Sequence, residues 1–413
     1  VTGAAPRPHP ILGRRVVVCV GTGGVGKTTV AAAVALEAAR RGRRALVLTI
    51  DPARRLAGAL GLEALGPDPQ ELPDEQRAAL GITGEGRLFA MMLDMKRTFD
   101  DLVARLASDE AARTRILENP IYQHVSDALA GSGEYAAMEK VHELLESERF
   151  DLVVLDTPPS QNAVDFLDAP RRLLEFIDSR LVRLLIHPAF TAGRLGLRIF
   201  QGATERALGL LERMLGMAFL RDLSEFLLAF EAMAEGFRAR ATRVRAMLLG
   251  PEAGFVLVAA PSFHAARNAE TFLVHLAAEG VPLVGVVINR VRRWPSGTEE
   301  ALPPADEATD AADRDRLARA LRDVRPDLDA AAADAHARAA SEAATQYDAL
   351  VQLDRESTAP LRRRAGTLGL LVLPVPELPE DVHDVDGLRR IGREIFGSRQ
   401  LGGEATPSGE GMT

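Results

Sequence analysis

The stretch Gly21-Thr22-Gly23-Gly24-Val25-Gly26-Lys27-Thr28, continued by Thr29, decides the fold of this chain. It satisfies the pattern G-x-x-x-x-G-K-[ST] and stands between an apolar run at 15–20 and a helical pattern at 29–41, the strand–loop–helix context a phosphate loop requires. Glycines there let backbone N–H groups turn inward around a β-phosphate, and the helix N-terminus adds positive potential. Lys27 then reaches the β- and γ-phosphates while the Thr28 hydroxyl faces magnesium. Residues 21–29 are therefore candidate contacts for ATP or ADP with Mg2+.

The same residues satisfy G-x-G-x-x-G through Gly21, Gly23 and Gly26, with Asp51 ending the next apolar run, which is the dinucleotide pattern. That pattern leaves Lys27 and Thr28 unexplained. Lys27, Lys96 and Lys140 are the only lysines in a chain that otherwise uses arginine, so a lysine placed where a compact ammonium is needed favours the phosphate loop.

Further runs at 44–51, 150–156, 255–260, 283–289 and 368–373 are nearly continuous in Val, Leu and Ile, as strands buried on both faces are. Crossover-length stretches between them predict an α/β fold, a P-loop NTPase with a mostly parallel sheet covered by helices on both faces. Helical spacing over about 98–147 and 165–249 predicts an inserted helical subdomain. Leu220, Leu223, Leu227, Phe230, Met233, Ala234 and Phe237 fall on one face of it. The ATPase domain is expected over 14–397, between a flexible N-terminus at 1–13 and a disordered tail at 398–413, with a mobile acidic loop at about 296–313.

Two aspartates end apolar runs. Asp51, in Thr49-Ile50-Asp51-Pro52-Ala53, suits orientation or deprotonation of an attacking water, with a helix N-cap as the structural alternative. Asp156 has the strand-then-aspartate form of a Walker B element. Lys27 and Asp51 are thus the candidate catalytic residues, and Thr28, Asp51 and Asp156 the candidate magnesium ligands. Thr157-Pro158-Pro159-Ser160 would sense the γ-phosphate. Asn289 carries an amide that offers a donor and an acceptor to an adenine edge, although by composition alone it is a turn residue. His124, His142, His264 and His383 show no metal-ligand spacing.

A formal net charge of −8 argues against a general nucleic-acid surface. Cys19 is the only cysteine, which excludes an intrachain disulfide or thiol metal cluster and fits a reducing cytoplasm. Residues 1–10 hold no signal-like apolar run and no stretch elsewhere is long and apolar enough to span a bilayer, so a cytoplasmic location is expected.

The segments at 21–29, 49–53, 156–159 and 287–289 resemble, in order, the motifs of ArsA-type ATPases, a family that includes the arsenite-efflux pump ATPase and the guided-entry ATPase for tail-anchored membrane proteins. The resemblance implies ATP hydrolysis, a homodimer or a heterodimer with a paralogue closing around two ATP molecules, and a helical subdomain that takes an apolar protein segment as client. It makes Asp51 the switch I catalytic aspartate, begins switch II at Asp156, sets Asn289 against adenine and brings Pro374, with the rest of 374–379, near it.

Three positions depart from the family pattern. Thr22 stands where the family has a second lysine that reaches across the dimer. Either hydrolysis is slow, or a lysine-bearing paralogue completes a heterodimer, or another cation such as Arg54 or Arg55 substitutes. No Cys-x-x-Cys pair exists, so neither a zinc staple nor an arsenite thiol site can form. Switch II continues Ser160-Gln161-Asn162 where the family has Thr-Gly-His.

Two other readings remain open. A positioning ATPase acting on membrane or DNA would use the amphipathic stretch 388–396, and an ATP-binding module would turn over little or no nucleotide. Met214, Met217 and Met233 suit an adaptable client groove, or an ordinary core.

Overall fold

The computed structural model describes residues 9–51, 55–123, 133–158, 203–294, 307–380 and 384–397, together with Glu175 and Val382. Eight strands form one sheet. They are β1 (Val16–Val20), β2 (Arg44–Thr49), β3 (Gln70–Glu71), β4 (Arg87–Met92), β5 (Leu152–Asp156), β6 (Ala253–Ala259), β7 (Leu283–Val291) and β8 (Leu371–Pro376), in the spatial order β3-β4-β2-β5-β1-β6-β7-β8. Only the short edge strand β3 runs antiparallel to its neighbour. The mostly parallel α/β sheet expected from the apolar runs is the observed architecture.

The pleat explains why those runs are continuous. In β1, Val16, Val18 and Val20 enter the hydrophobic core on one face, whereas Val17 and Cys19 enter the core on the other. Both faces are therefore covered, and every position must be apolar. Strand β1 lies between β5 and β6, so the chain changes direction across the sheet beside it. In open α/β sheets that switch point is where the crevice for ligands opens, outside the carboxyl ends of the strands.

One face is covered by α1 (Lys27–Arg40) and by α11 (Val385–Phe396), whose Leu388, Ile391 and Ile395 are buried in the same core as the alanines of α1. Short α2 (Arg55–Ala59) and α3 (Asp74–Ala79) precede β4. In the ranges where a helical subdomain is expected, the described helices are α4 (Met95–Leu106), α5 (Glu110–Leu117), α6 (Gly133–Glu146) and the 47-residue α7 (Ala203–Leu249). Met233, Ala234 and Phe237 of the expected face are buried there, and Leu223 packs against the same core. The side chains of Met214, Met217, Leu220, Leu227 and Phe230 lie outside the described residues, as do His124, His383 and the Ser160-Gln161-Asn162 segment.

Helix α8 (Phe263–Ala278) connects β6 to β7, and α9 (Glu307–Val324) and α10 (Ala330–Thr367) separate β7 from β8. Two segments expected to be flexible differ from the sequence reading. The acidic loop expected at 296–313 is helical from Glu307 onward, because alanines of high helix propensity and the Arg316–Asp313 ion pair sustain α9. Residues 9–13, expected to be flexible, are packed. Ile11 is fully buried, the Leu12 carbonyl accepts from the Arg43 guanidinium, and His9 meets Phe396 edge-on. The tail at 398–413 lies outside the described residues.

Candidate functional site

The loop after β1 has its shape imposed by two glycines. Gly21 has φ +152°, and a Cβ there would lie 2.3 Å from the Val258 carbonyl oxygen of β6. Gly26, the N-cap of α1, has φ +94° and would place a Cβ 2.2 Å from the Asn289 amide nitrogen. Neither position accepts a side chain. The close approach lets Asn289, buried at the end of β7, donate its amide to the Val25 carbonyl at 2.9 Å.

Lys27 is only 7% exposed, and its Nζ donates to the Thr22 carbonyl at 3.0 Å. Burial pulls its ammonium below the ordinary lysine value, while Asp156 and Asp51 nearby oppose that shift. Asp156 is 1% exposed, and burial pushes its carboxyl up to about 6 against hydrogen bonds from the Thr28 and Thr49 hydroxyls and the charge of Lys27. The Thr49 hydroxyl donates to Asp156 Oδ2 at 3.0 Å and accepts the Asp51 N–H at 3.2 Å. Thr49 thus joins the ends of β2 and β5, where Thr49 and Asp156 are register partners. Thr157 turns its hydroxyl toward β1 and donates to the Cys19 carbonyl at 2.8 Å.

Asp156 Oδ1 is buried and has no hydrogen-bond partner. A desolvated carboxylate oxygen beside the Thr28 hydroxyl and the Lys27 ammonium is what a hard, oxygen-seeking cation would satisfy, so the residues present fit magnesium. No cluster of three or more His, Cys, Asp or Glu side chains suited to a metal occurs among the described residues. Cys19 is fully buried and burial raises its thiol, which leaves it unsuited to binding a soft metalloid.

These groups border a cavity of about 520 Å³ at the carboxyl edge of the sheet. That volume falls within the ~300–1,000 Å³ range of small-ligand pockets. Of the residues expected at the site, Gly24, Gly26, Lys27, Thr28, Thr29, Asp51 and Asn289 line it, with Thr157. Gly21, Thr22, Gly23, Val25 and Asp156 do not, Asp156 lying beneath as support. Pro374 pairs with Ile288 inside the sheet, and the wall near Asn289 is built instead by Pro376, Glu377 and Leu378.

Sequence reasoning also missed Arg290 and Ile391 in this wall. Arg290 has φ +62° at an irregularity where β7 and β8 lose register, and such re-aiming of side chains leaves no mark in composition. Asn289 was expected to turn a donor and an acceptor to a base. One of its N–H groups is committed to the loop.

A phosphate loop between a central parallel strand and its helix, with Asp51 just beyond β2 and Asp156 ending β5, defines the P-loop nucleotide-binding class. The family profile described as anion-transporting ATPase, ArsA, matches residues 14–298. The chain belongs to this family of ATPases.

Among curated relatives, the chain is 34% identical over 181 residues to an uncharacterized protein of Streptomyces coelicolor, covering 44% of this chain and 42% of the relative. It is 28% identical over 177 residues to a putative arsenical pump-driving ATPase of Halobacterium salinarum, covering 41% and 26%. A match to the ATPase get3 of Schizosaccharomyces japonicus is 24% identical over 275 residues, covering 66% and 72%. The chain therefore spans less than half of the first two relatives.

Proposed function

We propose that this protein binds ATP with Mg2+ in the cavity above β1 and hydrolyses it, and that the nucleotide state governs closure of a dimer and the holding of a client by the helical subdomain. The observation that carries the reading is the convergence of Lys27, Thr28 and Asp51 on one cavity, with the orphaned Asp156 oxygen beneath.

Lys27 would exchange its hydrogen bond to the Thr22 carbonyl, 3.0 Å long, for contacts to phosphate oxygens. Thr28 and Asp156 would hold Mg2+, whose chemistry is to neutralise charge on the β- and γ-phosphates. Asp51, half-buried in the cavity wall, would orient and deprotonate the attacking water. Asn289 and the 376–378 wall would border the base.

Dimerisation, with a second copy or a paralogue, and an apolar protein segment as client rest on family membership. The cargo is not a soft metalloid held by this chain's thiols, given the buried Cys19. A membrane-positioning role loses its sequence support, because the apolar face of 388–396 is buried against α1. No described helix is long and apolar enough to cross a membrane.

Phosphate release at saturating ATP and Mg2+ tests the reading, with Lys27→Ala as control. Wild-type turnover that the variant abolishes supports an ATPase. Equal, negligible release from both, alone and with a lysine-bearing paralogue, leaves a nucleotide-binding module.

A further inference from the structure

The cavity holds cations in contrasting circumstances. Lys27 is buried and hydrogen-bonded to its own loop, whereas Arg55, the first residue of α2, is exposed and makes no hydrogen bond or ion pair among the described residues. Both line the same space. Arg55 lies near enough to Lys27 to lower its hold on a proton, so two cations converge on a cavity that Asp51 also lines. A phosphate chain entering the cavity would meet both cations.

Position within the cavity says which part of the polyanion Arg55 meets. It follows Asp51 by four residues, and Asp51 also acts electrostatically on Lys27, so all three bear on the phosphate end. Asn289, Arg290 and Glu377 come from β7 and the segment after β8, elsewhere on the wall. Guanidinium stays charged at any working pH and presents a planar fork of donors suited to phosphoryl oxygens. Thr22, at the start of the loop, offers no charge.

We propose that Arg55 is a catalytic residue acting in cis, donating to the γ-phosphoryl oxygens as they gain charge during transfer to water. The proposal rests on the ATPase reading above. In the step, the water oxygen bonds to the γ-phosphorus as the bond to the β,γ-bridging oxygen breaks and its electron pair leaves with ADP. The water proton passes to Asp51 and on to solvent, giving ADP and inorganic phosphate. Arg55 forms no covalent bond and transfers no proton. Its contribution is greatest when charge on the transferring group is most dispersed.

The test compares full-length wild type, Arg55→Ala, Arg55→Lys and Lys27→Ala in phosphate release, in ADP affinity and in affinity for ADP with aluminium fluoride. Loss of one transition-state donor is expected to lower kcat of Arg55→Ala by about 100- to 1,000-fold, with ADP affinity kept within about threefold. Its preference for ADP with aluminium fluoride over ADP should collapse, and Arg55→Lys should recover part of both. An Arg55→Ala protein with wild-type kcat overturns the proposal, as does a loss of ADP affinity equal to the loss of kcat. Mixing Arg55→Ala with Lys27→Ala adds a check on cis action, because restored turnover would mean that Arg55 serves a partner's site. Absence of turnover in wild type would instead remove the ATPase reading itself, and ADP affinity distinguishes that case from misfolding.

Discussion

The Asn289 side chain donates to the Val25 carbonyl at 2.9 Å, so the end of β7 holds the phosphate loop across 264 residues of sequence. Asn289→Ala leaves a carbonyl without its partner, a loss of ~1–3 kcal/mol. Calorimetric titration should show ADP binding weakened about tenfold, the equivalent of ~1.4 kcal/mol. Asn289→Asp should be worse, since it removes the donor and sets a carboxylate against the Val25 carbonyl. Unchanged ADP affinity in both variants would mean the loop keeps its shape without this tie.

Thr49 links Asp51 and Asp156 through one hydroxyl. Thr49→Val removes that hydroxyl while keeping the β-branched shape inside the sheet. Asp156 would then bear its charge with one fewer donor, and its readiness to hold a cation should fall. ADP affinity measured in chelator should stay near wild type, while the gain on adding Mg2+ shrinks by about tenfold, or ~1.4 kcal/mol. A wild-type response to Mg2+ would place the metal away from Asp156.

How much of this was legible in the sequence depended on how local each feature is. The loop at 21–28 was readable because its glycines, lysine and threonine are consecutive, and β1, β2, β5, β6 and β7 because both of their faces are buried. Strand β4, Arg-Leu-Phe-Ala-Met-Met, lacks β-branched residues, and β3 is two exposed polar residues, so neither carried a strand signal. β8 was read at 368–373 but runs Leu371–Pro376, since its prolines resemble an ending. At the site, Asp51 and Asp156 could be nominated from strand ends. Their link through Thr49 needs β2 beside β5, and the tie from Asn289 to Val25 joins residues 264 positions apart, relations that only the folded sheet creates.

Between α6 and α7, Arg240 and Glu139 form an ion pair with 8% and 2% exposure, and Arg240 reaches Glu146 at 3.1 Å. Burial raises the Glu139 carboxyl despite that guanidinium. Arg240→Met alone strands a buried carboxylate and should destabilise by roughly 3–5 kcal/mol, whereas Arg240→Met with Glu139→Leu should fall near wild type. Chemical denaturation of wild type and these two variants measures this. Equal losses in the single and double variants would mean the pair contributes packing alone.

His142 adjoins the same pair and gives the subdomain a pH dependence of known sign. Burial lowers its proton affinity, outweighing Glu146 at 3.4 Å, and Arg240 and Arg243 act in the same direction as burial. In the unfolded chain the imidazole takes a proton as pH falls through about 6.5, whereas the folded protein resists protonation there. The unfolded state then binds more protons, so stability drops as pH falls through 6.5 and the loss levels off below the folded value. Glu139, whose carboxyl is raised, acts oppositely from its unfolded value upward, so the informative quantity is the difference between wild type and His142→Gln. Urea midpoints at pH 7.5 and 5.5 should lie closer together in the variant. An identical spread in both proteins would assign the acid sensitivity to other groups.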